Sequence, residues 1–91
     1  MFIKGGLYEV MDGAFEVRSS ADGSFLSKLN PGDKFLFISM WCKDSCGYIS
    51  GINVLTPEIT GLVVLVHFNR MNPKYWGSRV RLLAKPHDEG Q

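Results

Sequence analysis

Between Ile59 and Pro86 the chain carries no Asp or Glu, yet it holds Arg70, Lys74, Arg79, Arg81 and Lys85, with Tyr75 and Trp76 set among them. Cations hold phosphate oxygens, and exposed aromatic faces stack on unpaired bases at about 1 to 3 kcal/mol each. These residue types therefore suit RNA or single-stranded nucleic acid better than duplex. Side chains alternate along a strand, which puts Arg79 and Arg81 on a common face about 7 Å apart, close to the spacing of successive phosphates. The stretch Ile59 to Phe68 lacks acids only because buried strands lack charge of either sign, so the functional weight lies from Arg70 to Lys85. A structural reading competes with this one: Trp76 plugs the core, and the arginines guard a sheet edge against strand addition.

Other reactive residues are few. Cys42 and Cys46 bracket Lys43-Asp44-Ser45, and with His67 and His87 they would make four zinc ligands. The spacing is loose for a structural site and no second tight ligand pair exists, so the expectation is no metal and two loop thiols, one packed against Trp41. Reduced thiols fit an intracellular protein; a disulfide clip is the alternative. His67 sits in an apolar strand, and no nucleophile motif or phosphate-binding glycine pattern surrounds either histidine. The expectation is a non-enzymatic protein without cofactor or small-molecule substrate.

Composition bounds the scaffold that must position these groups. A chain of 91 residues is one domain, here with an ordered core over about residues 3–85 and a polar tail over 86–91. A domain of this size hides only about 60% of its unfolded surface. Its 45% hydrophobic and 12% aromatic content argues against disorder and suggests that some apolar surface meets another chain. The net charge of +1 hides a polarised molecule, since the residues before Ile59 are slightly acidic. The N-terminus lacks the apolar stretch of a signal peptide and the run Leu62 to Val66 is too short to span a bilayer, so a cytoplasmic protein without membrane contact is expected.

Strand-like runs punctuated by turn residues dominate, with no convincing helical stripe. They are Leu7 to Met11, Phe15 to Arg18, Phe25 to Leu29, Lys34 to Trp41, Tyr48 to Leu55 with a bulge at Gly51, Ile59 to Phe68, and Ser78 to Lys85. Asn30-Pro31-Gly32-Asp33 reads as a type II turn, with Pro31 presetting φ and Gly32 accepting the positive φ that follows. One short 3₁₀ or α turn is expected near residues 73–76.

The turn Leu29-Asn30-Pro31-Gly32-Asp33-Lys34-Phe35 into a strong strand, the strand Ile59-Thr60-Gly61-Leu62-Val63-Val64, and Pro73-Lys74-Tyr75-Trp76 before a closing strand resemble the SH3-like barrels. The resemblance is of fold grade over about residues 5–85, and it implies an all-β fold, a small barrel of about five to six strands. Members of that class bind proline-rich peptides, nucleic acids, ribosomes and other proteins, so fold alone assigns no function. The acidic loop and paired tyrosines of the peptide-binding members are missing. In its compactness the chain is similar to small bacteriophage accessory proteins, which would place it in the host cytoplasm.

Two strands are apolar on both faces. Strict alternation sets Phe35, Phe37 and Trp41 on one side of their strand and Leu36, Ile38 and Met40 on the other; Leu62, Val64, Val66 and Phe68 likewise oppose Val63 and Leu65. A single-layer barrel buries only one face, so the surplus points to a protein partner or a homodimer, with Phe35, Phe37 and Trp41 as interface residues; the alternative is local cover by the first strand or the Asn69 to Gly77 loop. The sequence thus supports a binding module with two candidate surfaces. The first takes RNA or single-stranded nucleic acid through Arg70, Lys74, Tyr75, Trp76, Arg79, Arg81 and Lys85. The alternative is a protein-interaction module, such as a phage-encoded inhibitor of a host enzyme, acting through an apolar strand face.

Overall fold

The computed structural model describes residues 2–43, 49–57, 59–71 and 79–86, without the side chains of residues 42, 43, 49, 50, 60, 62 and 66–71. The expected turn at 73–76 and the tail beyond Pro86 lie outside the described residues. Seven strands are present: β1 Leu7–Val10, β2 Phe15–Ser19, β3 Phe25–Leu29, β4 Lys34–Lys43, β5 Ile49–Thr56, β6 Ile59–Met71 and β7 Val80–Ala84. The protein is all-β, and no helix among the described residues is long and apolar enough to cross a membrane.

All strands join one antiparallel sheet in the order β3-β2-β6-β5-β4-β1-β7. No pairing joins β3 to β7 among the described residues, so the sheet is open where a closed barrel was expected. It nevertheless encloses its core. Tyr8 and Val10, Phe15 and Val17, Leu29, Phe35 and Phe37, Ile52 and Val54, Val63 and Leu65, and Val80 form one buried cluster to which every strand contributes. Edge residues Leu29 and Val80 meet in one cluster only because the sheet coils strongly, as the right-handed strand twist favours. Each fully buried large side chain, Phe15, Phe35, Ile52 and Leu65 among them, contributes about 1.5 to 3 kcal/mol.

Turn chemistry sets the connections. Asp33 N–H donates to Asn30 O at 2.9 Å and Gly32 has φ of 97°, the turn that Pro31-Gly32 predicts. The Asp33 carboxylate accepts from Asn30 N–H at 2.7 Å, and Gly32 N–H donates to Val10 O at 2.8 Å, tying the turn to the end of β1. At the other end the chain before β1 closes the core. Phe2 stacks on Phe37 (centroids 5.0 Å apart) and meets the Tyr8 ring edge-on at 5.1 Å, while Ile3 N–H donates to the Tyr8 hydroxyl at 2.7 Å.

One irregularity decides the faces of β4. Phe37 pairs with Val54, but the next pair is Ser39 with Asn53, so Ile38 is an extra residue on β4. A bulge of this kind reverses the alternation beyond it. Phe35 and Phe37 point into the core before the bulge; after it Met40 packs on the core, while Ser39 and Trp41 turn outward.

Candidate functional site

The basic segment is divided among different partners. Arg79 precedes β7, and its guanidinium carbon lies 4.5 Å from the centroid of the Phe15 ring, with Nε donating to Asp12 O at 3.2 Å. Such a cation over an aromatic face is worth about 0.5 to 2 kcal/mol, and it fastens the start of β7 to the turn between β1 and β2. Gly13 in that turn has φ of 74°, and a Cβ there would collide with the Arg79 guanidinium, so glycine serves both the backbone and the seat of the arginine.

Arg81 lies opposite Glu9 in the β1–β7 register and donates to Glu9 Oε1 from Nε at 3.0 Å and Nη2 at 2.7 Å. Its charge is balanced across the edge of the sheet. The alternation expected of this strand holds for Val80, which is buried, and for Leu82, which packs against the core. The two arginines, however, serve two separate intramolecular contacts. Lys85 is exposed beyond β7. The side chain of Arg70, and Lys74, Tyr75 and Trp76, lie outside the described residues, as do Cys46, His87 and the side chains of Cys42 and His67. Among the described residues no cluster of three or more His, Cys, Asp or Glu is placed to hold a metal ion.

The three residues expected to form an apolar interface part company. Phe35 and Phe37 are core residues, 0% and 4% exposed, and are thereby corrected as surface candidates. Trp41 is 41% exposed on the opposite face of the sheet. The cause is the bulge at Ile38, which strict alternation does not anticipate. The surplus apolar face of β4 and β6 is covered partly within the sheet: Leu36 lies between Leu7 and Leu55 in adjacent pairs, and Val64 is buried although it points away from the core.

What covers Val64 is the feature of chemical interest. Trp41 lies opposite Gly51, and a Cβ on Gly51 would stand 3.2 Å from Trp41 Cε3, 3.2 Å from Val64 Cγ1 and 2.7 Å from Leu65 O. Only a glycine lets the indole settle this close to the β5 backbone. Arg18, paired with Val64 from the other side, completes a cleft of about 70 Å³ lined by Arg18, Ser19, Ser20, Gly23, Trp41 and Val64.

The wall opposite the indole is firmly held. Arg18 donates to Glu16 Oε1 from Nε at 2.9 Å, pairs with the same oxygen through Nη2 at 2.8 Å, and donates from Nη1 to Gly23 O at 2.9 Å. The loop it grips is bonded to itself. Ser19 N–H donates to Ser24 O, Gly23 N–H to Ser19 O, Ala21 N–H to Ser19 Oγ and Ser24 N–H to Asp22 Oδ1. The Ser24 amide, and after it the Ser24 hydroxyl, hold the Asp22 carboxyl below the usual carboxylate range.

Of this cleft the sequence points only to Trp41, and strict alternation puts it on the face of Phe35 and Phe37, opposite to where it lies. Two signals for the rest were present. Ser39 is the one polar residue that strict alternation would place beside Phe35 and Phe37, a conflict that a bulge relieves. Gly51 inside a strand marks a close approach by another group. No family model, curated protein or solved structure matches this chain.

Proposed function

We propose that this protein is a non-enzymatic binding module that engages a protein partner through the outer face of its sheet, centred on Trp41. One observation carries the reading: a bulge and a strand-interior glycine together hold a tryptophan outside the core, beside a pinned arginine. Tryptophan and arginine in such settings dominate the energetics of protein interfaces. Phe25 and Leu26 on the edge strand β3, 51% and 42% exposed, extend the apolar character of this side. The SH3-like kinship belongs to the same proposal, supported by antiparallel strands that all contribute to a single core. A second copy of the chain is one partner that this face would accept.

A second reading, binding of RNA or single-stranded nucleic acid, is favoured by the acid-free sequence from Ile59 to Pro86 and its cations Arg70, Lys74 and Lys85 beside Tyr75 and Trp76. The engagement of Arg79 and Arg81 within the fold counts against it as first choice. Capture from a lysate of the cells that make the protein, with and without nuclease, separates the two. Trp41→Ala is expected to reduce capture about tenfold or more while nuclease leaves it unchanged, an effect of hot-spot size. Capture abolished by nuclease and indifferent to Trp41→Ala would overturn the protein-partner reading.

A further inference from the structure

Resting on the protein-partner reading, we infer that the cleft between Trp41 and Arg18 is an anchor pocket for one uncharged aliphatic side chain, of valine or leucine size, presented by the partner. Its volume sets the class of occupant. About 70 Å³ is several times smaller than cofactor and nucleotide sites, which run from about 300 Å³ upward. The tip of a branched side chain fits; a whole nucleoside does not.

The chemistry of the walls sets the charge. Arg18 is the cation of the cleft, and its guanidinium is already matched by the Glu16 carboxylate and bonded to the Gly23 carbonyl. An incoming carboxylate or phosphate would meet a guanidinium whose charge Glu16 already neutralises and would stand close to that like-charged carboxylate, and an incoming ammonium would meet the like charge of Arg18. The floor is Val64 and the opposite wall is the indole, both of which reward dispersion contact and neither of which supplies charge. The self-bonded loop from Ser19 to Ser24 keeps the rim in place before anything binds, so little ordering cost falls on association.

The test uses the isotopically labelled full chain and a panel of small probes: N-acetyl methylamides of leucine, valine, aspartate and lysine, and uridine monophosphate. Backbone amides of Ser19, Ser20 and Gly23 and the Trp41 indole N–H report occupancy by nuclear magnetic resonance. The leucine and valine probes are expected to give saturable shifts confined to these signals, with the charged probes and the nucleotide weaker by about tenfold or more. Trp41→Ala should abolish the response at the three amides, and Val64→Leu, which fills the floor from below, should do the same. Leu55→Ala, exposed on another part of the outer face, should leave it intact.

The inference is overturned if the aliphatic probes give no saturable shift, if both cleft variants remain folded and still respond, or if the aspartate probe or the nucleotide binds as tightly as leucine. This titration reads the cleft alone. Capture that is lost in Trp41→Ala without aliphatic binding in the cleft would sink the pocket and leave the face standing.

Discussion

Phe35 and Phe37 on one side of Ile38, and Trp41 on the other, belong to one strand and one class of side chain, yet the first two are sealed in the core and the third stands on the surface. Before the bulge the aromatic rings answer to one another: Tyr8 stacks on Phe35 at 5.6 Å and Phe2 on Phe37 at 5.0 Å. After it the ring answers to a glycine and to a valine on the outer face. One inserted residue therefore converts a run of core aromatics into a core segment followed by a presented one. Hydrophobicity alone does not distinguish the two; register does.

The sharpest way to break the comparison is to truncate both halves of the strand. Phe35→Ala removes a ring with no exposure and is expected to cost about 3 to 5 kcal/mol, a large share of the stability of a domain this small, read as a collapse of the denaturant midpoint. Trp41→Ala removes a larger ring and should cost only about 1 kcal/mol, mostly from uncovering Val64, with an unchanged denaturant slope. Equal losses would mean that the two regions do not differ as described.

Much of the scaffold was legible in the sequence because local chemistry dictated it. Pro31-Gly32 and Asp12-Gly13 announce turns whose glycines do adopt positive φ, and the apolar and polar order of Phe15 to Arg18 gives the face of β2 that is buried. The bulge expected at Gly51 is not on β5: pairing with β4 runs regularly through Gly51, and the extra residues of the β5–β6 irregularity lie on β6 between Val66 and Met71. The Trp41 cleft was not legible, since it depends on pairings between residues far apart in the chain: Arg18 with Val64, and Trp41 with Gly51. Whether the sheet closes is not legible for a similar reason. A strongly twisted sheet coils around one core whether or not its two edges meet, and nothing local to β3 or β7 tells which.

The basic segment offers finer tests of the same contrast between contacts that build the fold and groups left for a partner. Arg81→Ala breaks only an exposed pair with Glu9 and is expected to cost about 0.2 to 1 kcal/mol, shrinking at high salt. A loss several times larger would mark the β1–β7 edge as more than a screened surface contact.

The smallest effect concerns the cleft rim. The Asp22 carboxyl is held below its ordinary range by the Ser24 amide, so its ionised form favours the folded loop. That contribution is fully present above about pH 4, the ordinary range, and is lost as pH falls through the lowered value. The melting temperature of Asp22→Ala should lie slightly below that of the parent near neutrality and converge with it in acid. A gap that widens on acidification would reverse the assigned sign.

The inversion of β4 at Ile38 is the claim on which the rest depends, and the fluorescence of Trp41 measures it directly. In a Trp76→Phe background, where Trp41 is the only tryptophan, emission should be red-shifted and readily quenched by acrylamide in the folded protein. A blue-shifted emission that acrylamide reaches only after unfolding would place the ring in the core beside Phe35 and Phe37, and would contradict the account.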